Sequence, residues 1–149
     1  MKDKINIIEE LIAPCGMNCA ICSKYLAYIN DLRFTHCKGC RTDEKNCTYL
    51  FEKCTGANHY MLNNENAFFC YECEEFPCRE IERMDRRYRN NYGMSVKDNL
   101  KQINEGGMDM FLKDQYGKYR CLACDSLISI HNKKCFHCDK ITKLIEKQK

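Results

Sequence analysis

CLACDSLISIHNKKCFHC, residues 121–138, carries two Cys-x₂-Cys knuckles separated by ten residues. One such knuckle can grip a metal ion with two thiolates, and a second completes a tetrahedron around it. The spacing predicts a zinc ribbon with Cys121, Cys124, Cys135 and Cys138 as ligands and the intervening SLISIHNKK as a short β-hairpin. Asp125 and Asp139 follow the two knuckles, and Asp tolerates the positive φ that such a turn often needs. Rubredoxin-like iron is the alternative occupant of the same four sulfurs.

Outward from this stretch, the composition explains why metal matters. Fourteen of the 149 residues are cysteine, whereas Leu, Ile, Val and Phe together supply 30. So thin an apolar complement is close to the limit for folding around a core alone. The chain is too short for a (β/α)₈ barrel, which typically needs about 250 residues. One valine and no tryptophan leave β-rich architectures little of their usual material, so helices and metal-bound loops are expected. The opening MKDKINIIEELIAPCG has no apolar core of a signal peptide, and no run of about 18 apolar residues occurs. These features predict a cytoplasmic protein without membrane attachment. In a reducing compartment, clustered cysteines read as metal ligands in preference to disulfides.

The formal charge of +3 conceals an asymmetry. Residues 1–78 hold eight Lys/Arg against eleven Asp/Glu, and residues 79–149 hold sixteen against ten. Each four-thiolate zinc site adds a net charge of about −2, so two sites in the first part and one in the second leave a bipolar molecule.

Cysteine density divides the chain into a cysteine-rich metal-binding module (1–78), a helical segment packed on it (79–120) and a zinc ribbon with a short C-terminal helix (121–149). In the helical segment Ile81, Met84 and Tyr88 recur at helical spacing. Leu100, Ile103, Phe111 and Leu112 continue it after breaks at Gly93 and Gly106-Gly107, which predicts two or three short helices. Ser95 is placed to cap the second of these, with Asp98 completing a capping box. A further helix is expected over 20–32, leaving the first cysteine cluster.

The first module contains Cys15, Cys19 and Cys22, then Cys37 and Cys40, then Cys47 and Cys54, then Cys70, Cys73 and Cys78. Ten thiols suffice for two four-ligand sites. The simplest grouping takes Cys15 or Cys19 with Cys22, Cys37 and Cys40 for one metal, and Cys54, Cys70, Cys73 and Cys78 for another. A cross-braced pairing is sterically equal, and Cys47 is unassigned. His36 reads as a residue that supports a ligand or lies on the surface before it reads as a ligand itself. Cys15-x₃-Cys19-x₂-Cys22 also matches the triplet that holds a [4Fe–4S] cluster in radical S-adenosylmethionine enzymes, but the chain lacks the length for their barrel.

Cys15-Gly16-Met17-Asn18-Cys19-Ala20-Ile21-Cys22 with Tyr25, Cys37-Lys38-Gly39-Cys40-Arg41, Cys47 with Cys54, and CYECEEFPC at 70–78 together resemble the domain-of-unknown-function family numbered thirty-seven ninety-five. The resemblance covers about residues 13–115, and CYECEEFPC is its most specific part. It implies a small prokaryotic cytosolic zinc-binding protein with no established activity, sometimes carrying a ribbon-like tail. All ten cysteines of the first module fall on the family pattern.

Arg79, Arg83, Arg86, Arg87 and Arg89 crowd one predicted helix, with Glu80, Glu82 and Asp85 among them diluting the positive field. A solvated or charge-packed face is expected there, with weak or no nucleic-acid binding. The whole sequence predicts a mainly α, metal-stabilised protein holding about three zinc ions, with an iron–sulfur cluster as the minority alternative. A binding or adaptor module with a protein partner is the leading function, a nucleic-acid-binding zinc protein the next, and a metal- or thiol-dependent enzyme the last.

Overall fold

In the computed structural model, which describes residues 9–30, 54 and 69–139, the segment free of cysteine forms three consecutive helices. We number the helices in chain order: α1 (Ser23–Ile29), α2 (Arg79–Tyr92), α3 (Val96–Gly106) and α4 (Met108–Tyr119). α2 buries Ile81 and Met84 and leaves its arginines outward. It stops at Gly93, whose φ of 68° suits a residue without Cβ. Ser95 then caps α3, its Oγ accepting from the Asp98 N–H at 3.0 Å. The reciprocal arm of the expected capping box is not made, because the Asp98 carboxylate faces Arg89 at 3.7 Å instead. Gly107, at φ 90°, separates α3 from α4, and α3 packs against both neighbours through Val96, Leu100 and Ile103.

The first cysteine loop is threaded through this helical layer. Residues 11–21 are all buried, which is unusual for a loop and requires its backbone groups to be paired internally. Ala13 N–H donates to Met17 O and Gly16 N–H to Ala13 O, each at 2.9 Å, closing a tight turn around Cys15. Cys70 N–H donates to Pro14 O at 2.8 Å and docks the Cys70–Cys78 group beside the first. Phe69 stacks on Tyr71 beside that group, with ring centroids 5.7 Å apart. α1 begins only at Ser23, because residues 19–21 form a tighter 3₁₀ turn that ends at Cys22. α1 ends at Ile29 with Asn30 as its C-cap, and residues 31–32 of the expected helix lie outside the described residues.

The C-terminal β-hairpin is not formed. Among the described residues there is no strand, and the stretch between the knuckles contributes one isolated bridge, Arg120 to Leu127. The reason is where its backbone donors go. Ile128 N–H pairs back to Tyr119 O at 2.8 Å, while Ile130 N–H reaches Ile21 O of the first cysteine loop at 2.9 Å. Leu127 and Ile130 are thereby drawn into the common core with Ile12, Ile21 and Phe111 instead of facing each other across a ladder. Asp125 takes the expected positive φ, 65°. Asp139 does not, since the second knuckle opens a helical turn in which Asp139 N–H donates to Cys135 O at 3.0 Å.

Candidate metal centre

Cys121, Cys124, Cys135 and Cys138 converge so that all four sulfurs lie within 4.8 Å of one another. The first knuckle leaves the end of α4 and is held by three local bonds. Asp125 N–H donates to Cys121 O at 2.8 Å, Cys121 N–H donates to Ser126 O at 2.6 Å, and Arg120 clamps the Asp125 carboxylate at 2.5 Å. Tyr116 Oη adds a bond to Asp125 O at 3.2 Å. The second knuckle sits at the helical turn entered by Cys135, with Lys133 at φ 58° turning the chain just before it.

The sulfur geometry can be tested against an ion. A metal–sulfur bond of about 2.3 Å places tetrahedral ligands about 3.8 Å apart. Cys121 and Cys138 Sγ are 3.9 Å apart, and Cys124 and Cys135 Sγ are 3.5 Å apart. Four thiolates at these separations suit one ion gripped by all of them. In a cubane each thiolate binds its own iron, which spreads the sulfurs further. No disulfide links the described cysteines.

Thiol electrostatics follow the same arrangement. Burial works against a charged Cys124, but donation from the Ser126 hydroxyl and N–H and from the Cys135 and Cys138 thiols outweighs it and brings Cys124 down to about 6. Cys138, which donates to the Cys124 and Cys135 sulfurs, is pushed up to about 12. Burial likewise raises Cys135. Without metal, the hydrogen bonds therefore favour the Cys124 thiolate over those of Cys135 and Cys138. A divalent cation would reverse this by favouring thiolates throughout.

Of the first-module cysteines, Cys15, Cys19 and Cys70 are buried, and Cys22, Cys54, Cys73 and Cys78 are half-buried. Cys15 and Cys22 both lie near Tyr88, where the ring's burial and the charge of these thiols push the phenol well up. Among the described residues these seven sulfurs form no further group of three within ligand distance. Cys37, Cys40, Cys47 and His36 lie outside the described residues.

Several polar side chains that matter here carry no sequence signal. Asn18, wholly buried, donates to Gln115 Oε1 at 3.1 Å across 97 residues. His131, between the knuckles, accepts from Ser23 N–H at 3.2 Å and pairs with Tyr88 Oη at 2.9 Å. His137 sits inside the second knuckle with its Nδ1 buried and unpartnered.

Fold and site together define a helical, cysteine-rich protein with a four-cysteine group able to hold a metal ion. Residues 11–83 match the family described as "Protein of unknown function (DUF3795)". The match takes in all ten cysteines of the first module and ends within α2, short of the extent to residue 115 read from the motifs. No curated protein matches the chain, and no solved structure does.

Proposed function

We propose that this is a zinc protein whose metal holds the fold, and that it serves as a binding or adaptor module for another protein. The observation that carries this reading is the closed sulfur tetrahedron of Cys121, Cys124, Cys135 and Cys138. Four protein ligands leave no position for water or substrate, which is the arrangement of structural zinc, whereas catalytic zinc keeps one position open. Zinc also suits an all-thiolate tetrahedron without redox demands. The remaining cysteines of residues 15–78 would hold further zinc, to about three ions per chain. For a partner, the first knuckle presents Leu122, 86 % exposed, on a turn that a bound ion would fix.

A second reading, a nucleic-acid-binding zinc protein, rests on the exposed arginines of α2. It is the weaker one. Glu80 lies 3.7 Å from Arg83, Glu82 holds Lys97 at 2.6 Å, and Arg89 is engaged by Asp85. Phosphate contacts alone would give weak, salt-sensitive binding without sequence preference.

The test is elemental analysis with a visible spectrum on anaerobically purified, untagged protein. Colourless protein with zinc, losing about one equivalent when Cys121 and Cys124 become Ser, is the expected result. Iron with acid-labile sulfide and broad visible absorbance overturns the all-zinc reading. A tight complex with DNA or RNA at physiological salt, lost when Arg79, Arg83 and Arg86 become Gln, would promote the second reading.

A further inference from the structure

A cavity of about 360 Å³ opens where the turn between α2 and α3 meets α4. Its size is that of a small-molecule site. Two of its lining residues are nine-tenths buried amides, Gln115 at 4 % and Asn99 at 7 % exposure. Which amide atom faces the cavity follows from what their partners can do. Ala20 N–H, which only donates, fixes the Asn18 oxygen toward it at 3.0 Å. The Asn18 amino group therefore points to Gln115, whose oxygen accepts it at 3.1 Å, and the Gln115 amino group is left over. Gly16 O, which only accepts, fixes the Asn99 amino group at 2.9 Å and leaves the Asn99 oxygen over.

Neither leftover atom has a hydrogen-bond partner among the described residues, and neither is sealed from solvent. The cavity floor thus displays one donor and one acceptor whose identities are set by the Cys15–Cys19 loop. Buried polar groups in this state ordinarily find a partner. The rim adds charge of both signs. Lys118 makes no ion pair among the described residues. Asp114 spends one oxygen on Gln102 Nε2 at 2.6 Å, and among the described residues the Asp98 carboxylate pairs only with Arg89, at 3.7 Å.

We propose that this cavity binds a free α-amino acid. The carboxylate is taken by Lys118 and the Gln115 amino group, and the ammonium by the Asn99 oxygen with Asp98 and Asp114. A phosphate would meet the two carboxylates, a divalent cation would meet Lys118, and a neutral sugar would leave the charged rim unused. A zwitterion answers both signs at once. This site is independent of the metal-site reading above, although its floor is positioned by the first cysteine loop.

The experiment uses the full, metal-loaded chain. Each standard free amino acid is added at millimolar concentration and followed by calorimetry and by amide shifts in NMR. The best binder is then compared with its N-acetyl and carboxamide derivatives. Both derivatives should bind at least about tenfold more weakly, as should the free amino acid to Lys118→Gln and Gln115→Glu. Lys118 is exposed, so its variant reports binding even where Gln115→Glu fails to fold; its melting temperature should be unchanged. Absence of binding by every amino acid, equal binding of the N-acetyl form, or undiminished binding to Lys118→Gln would overturn the proposal. So would saturable binding of inorganic phosphate or calcium in place of amino acids.

Discussion

At Gly16 φ is 91°, and a Cβ built there would lie 2.8 Å from Val96 O and 2.9 Å from Leu100 Cγ. The first of these atoms belongs to the opening turn of α3, so it cannot retreat without disturbing the helix. Both conformation and space therefore demand glycine at the centre of the first cysteine loop. Left-handed backbone costs a non-glycine residue about 1–2 kcal/mol, and overpacking adds about 1–3 kcal/mol. Gly16→Ala should accordingly lower stability by about 2–5 kcal/mol, read by urea denaturation of the metal-loaded protein. Gly106 provides the control, since it ends α3 at negative φ with no atom within 4 Å of where an alanine methyl would sit. Gly106→Ala should be neutral or slightly stabilising. Equal loss in both variants would refute the steric argument.

The corner between α2 and α3 is organised by one carboxylate. Asp85 is 4 % exposed and accepts from Ser95 Oγ at 2.5 Å, Lys97 N–H at 3.1 Å and Arg89 Nε at 2.6 Å. Burial raises its pKa, but those bonds and the Arg89 charge outweigh it and hold it below the ordinary value of 3.8. A depressed carboxylate stabilises the fold above its unfolded-state pKa and loses that contribution as pH falls through the folded-state value. Asp85→Asn should thus cost about 1.5–3 kcal/mol near neutrality, and the gap to the wild type should shrink as pH falls below about 4. Thiol protonation affects both proteins alike and cancels in the difference. A gap constant with pH would refute the assignment. In the sequence Asp85 read as one more acid among arginines, because its burial depends on a corner made by Ser95 and Lys97. The helices themselves were legible: Ile81 and Met84 repeat locally, Gly93 and Gly107 punctuate locally, and Ser95 caps its own helix. The four C-terminal cysteines were legible for the same reason, as short spacing encodes ligand proximity. The hairpin was misread because Ile130 N–H finds its acceptor at Ile21, a pairing that no local spacing records. The amide chain from Asn18 to Gln115 was invisible on the same grounds.

At the scale of the molecule, the C-terminal cluster and the first cysteine loop share a core. Leu127 and Ile130, each 1 % exposed, lie between the two knuckles, so whatever holds the knuckles holds them in place. Ile130 N–H to Ile21 O at 2.9 Å and Ser23 N–H to His131 Nδ1 at 3.2 Å tie the same stretch to the start of α1. With Nδ1 accepting, the imidazole proton sits on Nε2 and is donated to Tyr88 Oη. Burial, together with Lys24, Arg87 and Lys133, lowers the His131 pKa and keeps this neutral form. Loss of metal from Cys121, Cys124, Cys135 and Cys138 should therefore be felt well beyond those residues. Fully burying each of Leu127 and Ile130 contributes about 1.5–3 kcal/mol, so Cys121→Ser with Cys124→Ser should lower global stability by about 3–6 kcal/mol. The same variant should lose hydrogen-exchange protection at Ile130, whose N–H is paired to Ile21, and at Ser23, whose N–H is paired to His131. If the first module holds zinc as proposed, that metal should remain, yet pass to a chelator faster, because the loop carrying Cys15 and Cys19 has lost one wall of its packing. Unchanged protection at Ser23 and an unchanged chelation rate would mean that the two regions are energetically separate despite their contacts.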